Sequence, residues 1–217
     1  MVRKASFFAG IVALAVAAGA LSAPAAGSTL IAPPAVCANS TLDAPIQAQE
    51  QAMHCMTDFA RRQVGLGGLA TAKALAQSSY RKARDVLRCN DFSHSACGRD
   101  FTYWMQRSGY TSSRCWRAGE NLAWGVGERG TVRSIFQAWV RSPSHRRNIL
   151  SRFSHIGIGL RVGTLANKRS TRVWTQHFGS HCGQHSRATP TAKRNIRLRS
   201  GLTPARAVAA RSGPLAQ

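Results

Sequence analysis

The middle of the chain carries the stretch Trp139-Val140-Arg141-Ser142-Pro143-Ser144-His145-Arg146-Arg147-Asn148-Ile149-Leu150. Apolar residues recur at intervals of three and four in the segment that leads up to Trp139, which predicts a helix over residues 131–140. Ser142 and Pro143 predict the start of a new helical turn, because serine is a good N-cap and proline fits the first helical position. The stretch therefore predicts two consecutive helical segments that meet at Ser142.

Outward from this stretch, helical and strand patterns alternate. Ser40 or Thr41 is the predicted cap of a first helix, which glycines after Val64 end. A second helix is predicted over residues 71–87, with Lys82 on its polar side, and a short one over 100–107. Residues 156–162 alternate as a strand does, and residues 172–178 are the predicted partner strand. The elements predict one α+β domain.

The N-terminus has the features of a signal peptide. Arg3 and Lys4 precede an uncharged apolar run, and small residues around Ala25 match a cleavage site. A transmembrane anchor is the alternative, but a run of roughly 17 residues lies at the lower limit for crossing a bilayer. We therefore expect a signal peptide over residues 1–25, a linker over 26–45 and one domain over 46–182 in a secreted protein that can associate with the cell envelope.

Six cysteines follow the predicted signal peptide: Cys37, Cys55, Cys89, Cys97, Cys115 and Cys182. An even number of cysteines in an exported chain predicts up to three disulfides, and the sequence does not choose among the pairings. Cys89 and Cys97 are the best local candidates. Cys37 with Cys55, and Cys115 with Cys182, then follow by elimination. Zinc ligation by these cysteines is less favoured, because no two of them have the spacing of a zinc knuckle.

The chain is strongly basic, with a formal net charge of +22 that becomes +20 when Arg3 and Lys4 leave with the signal peptide. We therefore expect acidic extracellular polymers or lipids as partners. Residues 183–217 contain basic but no acidic residues and no periodic pattern, which predicts a disordered tail that binds such partners or only keeps the protein soluble. Nothing in the sequence resembles a nucleic-acid module, so no specific nucleic acid is expected.

Several short motifs occur in a fixed order. They are Phe92-Ser93-His94, Gly109-Tyr110, Gly119-Glu120-Asn121-Leu122-Ala123-Trp124-Gly125, the stretch 139–150, Ile156-Gly157-Ile158-Gly159 and Trp174-Thr175-Gln176-His177-Phe178-Gly179. Together they resemble the bacterial branch of the CAP superfamily, which comprises cysteine-rich secretory proteins, antigen 5 and pathogenesis-related-1 proteins and is also called SCP-like. The resemblance implies a three-layer α-β-α sandwich, in which helices cover both faces of a small antiparallel sheet.

The resemblance also implies a cleft lined by two histidines and two glutamates. These positions map to His94, Glu120 and His145, whereas the second glutamate is replaced by Ser142. Asn121 lies in the same motif as Glu120. The loss of one carboxylate weakens any mechanism that needs an acid/base pair. Each member of the trio lies next to glycine, serine or proline, which predicts that all three stand in turns.

Two imidazoles and one carboxylate are an ordinary ligand set for zinc, so the resemblance implies a divalent metal, zinc first, on His94, His145 and Glu120. The same residues could instead form a hydrogen-bonded structural network. His177, His181 and His185 are not expected to form a second metal site, because glycines separate them.

Three classes of function remain open. The sequence favours a non-catalytic extracellular binding module whose ligand is a lipid, a polysaccharide or a protein. A metal-assisted hydrolase acting in the same cleft is the first alternative. It has no other candidate nucleophile, since the cysteines have disulfide partners and no serine elbow motif occurs. A wall-associated structural protein is the second alternative.

Overall fold

The structure, a computed structural model, describes residues 30–182. The predicted signal peptide and the predicted tail lie outside the described residues. The helices are α1 (Ile46–Gln63), α2 (Lys73–Arg88), α3 (Tyr103–Arg107), α4 (Val132–Arg141) and α5 (Pro143–Ile149). The strands are β1 (Ala70–Thr71), β2 (Trp116–Gly125), β3 (His155–Leu165) and β4 (Lys168–His181). None of the helices described here is long and apolar enough to cross a bilayer.

The four strands form one sheet in the order β1-β3-β4-β2. Strand β4 pairs antiparallel with both β3 and β2. The strands predicted over 156–162 and 172–178 are confirmed as the inner parts of β3 and β4. The expectation of a purely antiparallel sheet is wrong, because β1 runs parallel to β3, with Ala70 opposite His155.

Helices cover both faces of the sheet, as the three-layer prediction requires. Helix α2 packs on one face, where Gly157 and Gly159 leave room for its backbone. A Cβ on Gly157 would collide with the backbone carbonyl carbon of Leu75, so this close approach needs glycine. On the other face α1, α4 and α5 enclose the main core, whose largest buried side chains include Trp139, Trp174 and Phe136.

The first helix begins later than predicted. Its N-cap is Pro45, so the expected cap at Ser40 or Thr41 is wrong. The chain before Pro45 turns instead, because Gln49 Nε2 donates to the carbonyls of Leu42 and Ala44. By contrast, α4 and α5 begin as predicted, after Thr131 and Ser142 respectively.

Three disulfides cross-link the domain, and all six cysteines are paired. The observed pairs are Cys37–Cys55, Cys89–Cys97 and Cys115–Cys182, which confirms the expected pairing. Cys115–Cys182 joins the start of β2 to the end of β4. Cys89–Cys97 closes the loop that carries His94, and this loop forms part of the candidate site.

Candidate functional site

Glu120 lies within strand β2, not in a turn as predicted. It is directly opposite His177 on β4, and the Nε2 atom of His177 lies 2.7 Å from Glu120 Oε2. The other carboxylate oxygen, Oε1, lies 2.6 Å from His94 Nδ1. The Glu120 side chain is only 1% exposed. One buried carboxylate therefore holds two imidazoles, one on each oxygen.

His94 stands in the turn between α2 and a short 3-10 helix, Ala96–Gly98, as the sequence predicted. Its side chain is 28% exposed. The buried ammonium of Lys82 donates to the backbone carbonyl of His94 at 2.6 Å. Both the ring and the backbone of His94 are thus fixed by groups below the surface.

The environment of Glu120 keeps its carboxyl ionised. Burial raises the pKa of this group, but hydrogen bonds from His177 and His94 and the charge of Lys82 outweigh burial and lower the pKa to about 2. Burial lowers the pKa of the Lys82 ammonium, which the carboxylates of Glu120 and Asp85 oppose. The prediction that Lys82 lies on the polar side of its helix is wrong, since the residue is 2% exposed and faces this charge cluster.

Ser78 extends the network inward from the imidazole of His177. Its Oγ lies 2.5 Å from His177 Nδ1 and 3.0 Å from the carbonyl of Leu75. Serine, histidine and glutamate thus stand in the order of a catalytic triad. However, Ser78 and His177 are fully buried, so a substrate does not reach the hydroxyl in this structure. The array acts as a structural support for Glu120.

His145 lies in helix α5 and is buried, so its predicted place in a turn is also wrong. Burial and the nearby charge of His94 lower the pKa of its imidazole to about 4, which keeps the ring neutral at pH 7. Asn121 holds this helix, because its Nδ2 donates to the carbonyl of His145 at 3.2 Å and its Oδ1 accepts from Asn148 Nδ2 at 3.0 Å. Since consecutive strand residues point to opposite faces, Asn121 and Glu120 act on opposite sides of β2.

Ser142 occupies the N-cap position of α5, and its Oγ lies 3.2 Å from Ser144 Oγ. It stands at the junction of α4 and α5, where the resemblance would place the second glutamate. A hydroxyl there supplies no negative charge. Among the mapped residues, Glu120 is therefore the one that supplies a carboxylate.

His94, His145 and Glu120 are not arranged in this structure as three ligands of one metal ion. Among residues 30–182, no three His, Cys, Asp or Glu side chains are grouped as ligands of one metal ion. A zinc ion on His94, His145 and Glu120 would also compete with the hydrogen bonds that His94 and His177 make to the carboxylate. The neutral state of His145 suits a metal, but the role of Glu120 in this structure is to orient imidazoles.

A cavity of about 560 Å³ lies beside the network, between β2, α4 and the loop that carries His94. Its apolar walls include Phe92, Trp124 and Ile135, and the rings of Phe92 and Trp124 meet edge to face with centroids 6.4 Å apart. Within the part of the chain that the structure describes, its basic residues are Arg129, Arg141 and Lys168, and no acidic residue lines it. The mapped trio does not line this cavity either.

Sequence reasoning missed three members of the network: Ser78, Lys82 and His177. The prediction for α2 assumed that only its apolar residues face the core, so its polar residues were assigned to the solvent-facing side. His177 alternates with Trp174, Gln176 and Phe178 along β4, which puts it on the face opposite to theirs. This alternation could have indicated the face on which His177 lies. Its pairing with Glu120 depends on the register of β2 and β4, which the alternation does not give.

Comparison with known proteins supports the fold. No family model matches the chain. The chain is 32% identical over 143 residues to the uncharacterized protein YkwD of Bacillus subtilis (strain 168). The matched region covers 64% of this chain and 51% of YkwD, so the chain spans about half the length of this curated relative.

Two solved structures share the architecture. An extracellular protein containing an SCP domain, from Bacillus anthracis str. Ames, matches with a TM-score of 0.51 and 24% identity over 63% of this chain and 42% of that one. An outer surface protein from Borrelia burgdorferi matches with a TM-score of 0.52 and 16% identity over 63% of this chain and 96% of that one. The chain therefore has the fold of an SCP domain, and the fold that the predicted resemblance to the CAP superfamily implied is confirmed.

Proposed function

We propose that this chain is an exported, non-catalytic binding domain that holds an anionic amphiphile, such as a fatty acid, in the cavity beside the His94–Glu120 network. The N-terminal segment has the pattern of an export signal. The matched proteins of Bacillus anthracis and Borrelia burgdorferi are described as extracellular and outer-surface proteins. An extracellular or cell-envelope location is the proposed one for this chain too.

The single observation that carries the proposal is the lining of the cavity. Phe92, Trp124 and Ile135 offer apolar contacts, whereas Arg129 and Arg141 offer hydrogen bonds to an anion. A volume of about 560 Å³ lies within the usual range for small-molecule sites. Apolar walls and a rim that is basic among the described residues match a ligand with an apolar tail and a negatively charged head.

The buried network has a defined part in this proposal. His94 is two residues from Phe92 on the loop, and Glu120 is on the strand that carries Trp124. The hydrogen bond between His94 and Glu120 therefore fastens one cavity wall to the other. Preorganised walls reduce the entropy that a ligand must overcome on binding.

The hydrolase alternative is less favoured by the same geometry. A general base must reach substrate or water, but the Glu120 side chain is 1% exposed and both of its oxygens accept from imidazoles. A wall-associated structural role needs no cavity. Neither alternative accounts for the apolar walls and basic rim together.

Calorimetry with laurate, the C12 fatty acid, tests the proposal on the full chain. We expect one site per chain, with affinity about tenfold lower in Arg141→Gln, because one charge-assisted hydrogen bond is lost. Ala138→Trp should block binding by filling the cavity. Arg152→Gln is the matched control, since Arg152 is exposed and does not line the cavity. Absence of laurate binding, or equal binding by all variants, would overturn the proposal.

A further inference from the structure

The exposed face of helix α2 is strongly cationic. Its exposed residues recur along one helical stripe, and they are Lys73, Gln77, Tyr80, Arg81, Arg84 and Arg88. At 1.5 Å per residue, the stripe from Lys73 to Arg88 is about 22 Å long. It contains four cations and no acid. The acidic residue of this helix, Asp85, is fully buried.

Two acids, Asp85 and Glu50, adjoin the stripe. Asp85 Oδ1 lies 3.6 Å from Nη2 of Arg88, so one of the four cations is paired with a buried carboxylate. Asp85 Oδ2 accepts from Arg99 Nη1 at 2.6 Å and from Trp104 Nε1 at 2.7 Å. Glu50 Oε1 accepts from the backbone amide of Leu160, and burial raises the pKa of this carboxyl. Because Arg88 and Arg99 share the one carboxylate of Asp85, the stripe keeps an excess of positive charge on Lys73, Arg81 and Arg84.

Two arginines, one on the stripe and one beside it, are already oriented by an aromatic ring. The guanidinium carbons of Arg81 and Arg99 lie 5.0 and 5.3 Å from the centroid of the ring of Trp104. Arg99 is also held by Asp85, whereas contact with the ring restricts Arg81 and so reduces the side-chain entropy that anion binding by Arg81 would cost. A groove of about 390 Å³ runs along the stripe, and it is lined by Arg81, Arg84 and Tyr80, which is 42% exposed. One acid, Glu50, also lines the groove, against two arginines.

We propose that the exposed face of α2 is a binding surface for a linear polymer that carries phosphate groups, separate from the ligand cavity. Charge complementarity favours a polyanion, and arginine binds phosphate with paired hydrogen bonds. The narrow stripe follows one helix and borders a groove, which fits an extended chain better than the flat surface of a membrane. The folded domain thus contributes its own polyanion surface in addition to any contribution from the basic residues after Gly183.

Inorganic polyphosphate, titrated into the full chain at several salt concentrations, tests this proposal. Arg81→Gln/Arg84→Gln should weaken binding about tenfold and reduce the slope of log affinity against log salt by about 1.5, since two cations no longer release counterions. Arg62→Gln/Arg147→Gln is the matched control. It removes the same charge from exposed positions on α1 and α5, and it should change affinity less than about twofold.

Two further arms keep the test decisive. Lys73→Gln/Arg84→Gln leaves the stacking on Trp104 intact and should show the same loss. Equal losses in the α2 and control pairs would show that only net charge matters and would overturn the proposal. Binding to phosphatidylglycerol vesicles without binding to polyphosphate would overturn it too, in favour of a membrane. Laurate binding, measured in parallel, should be unchanged in the α2 variants, so failure of this surface is distinguishable from failure of the cavity.

Discussion

Glu120 and His177 stand directly opposite each other on β2 and β4, and the Nε2 atom of His177 lies 2.7 Å from Glu120 Oε2 in the interior of the protein. Burial of a carboxylate is costly unless hydrogen bonds and opposite charge compensate for it. Here His177, His94 and Lys82 do so. The arrangement therefore joins the sheet, helix α2 and the loop that forms one wall of the cavity.

Glu120→Gln keeps the shape of the side chain but removes its charge, so it should destabilise the fold by about 3 kcal/mol at pH 7. Urea unfolding measures this difference. The folded pKa of Glu120, about 2, lies below the ordinary value of 4.5. Its contribution to stability is thus complete above pH 4.5 and is lost as the pH falls through 2, so the gap between parent and variant should narrow over that range.

Glu128→Gln is the control for this experiment, because Glu128 is exposed. It should change the free energy of unfolding by less than about 0.5 kcal/mol. If Glu120→Gln is equally mild, the buried network does not support the fold.

His145 should make the protein less stable as the pH is lowered. Its folded pKa of about 4 lies below the ordinary value of 6.5, so the unfolded state takes up a proton first. Its contribution is present above pH 6.5 and is lost as the pH falls towards 4, amounting to about 2 kcal/mol between pH 7 and pH 5. His145→Phe should reduce the loss over that interval by this amount in urea unfolding. An unchanged pH dependence would show that His145 is not held neutral.

The disulfides should differ in their effect on stability. Cys115–Cys182 spans 67 residues and Cys89–Cys97 spans 8. In the chain-entropy model, the longer loop is worth about 4 kcal/mol and the shorter about 2.5 kcal/mol. Replacing each pair with serine and measuring thermal unfolding checks this order. Thiol titration of the denatured, unreduced parent should find no free cysteine, and two or more thiols per chain would refute the pairing.

The strands and helices that could be predicted from the sequence are those whose apolar residues follow the regular period of a helix or a strand. The pairing of β3 with β4, the boundary between α4 and α5 at Ser142 and the three disulfide pairs were all predicted. Strand β2 was not predicted, because Glu120 and Asn121 are polar residues buried on opposite faces. Their burial depends on hydrogen bonds from distant parts of the chain, such as His177, which lies 57 residues further along.

The same limit applies to the site. The motifs identified His94, Glu120 and His145, but only the register of β2 and β4 shows that the carboxylate is shared between His94 and His177. The basic rim of the cavity could not be read from the motifs. Its members Arg129, Arg141 and Lys168 come together through the packing of α4 against the sheet.

Zinc binding at His94, His145 and Glu120 stays a prediction of the resemblance. The buried network disfavours it, because the network uses the Glu120 carboxylate as a hydrogen-bond acceptor for imidazoles. Because both carboxylate oxygens already accept hydrogen bonds, we expect zinc to bind the parent no more tightly than it binds His94→Ala or His145→Ala. Titration calorimetry at a mildly alkaline pH, which favours metal binding over proton binding by the ligands, compares the three. A tight single site that both variants lose would establish a metal centre and remove the argument against the hydrolase.

Trp124 fluorescence in the presence of 12-bromododecanoate tests the central claim most directly, because bromine quenches only a nearby indole. Trp124 lines the cavity and is one of five tryptophans in the chain. We predict saturable quenching in the parent. In Trp124→Phe most of that quenching should be lost while calorimetric affinity is kept, since phenylalanine preserves an apolar wall. Quenching that is absent in the parent, or that persists unchanged in Trp124→Phe, would contradict the assignment of this cavity as the ligand site.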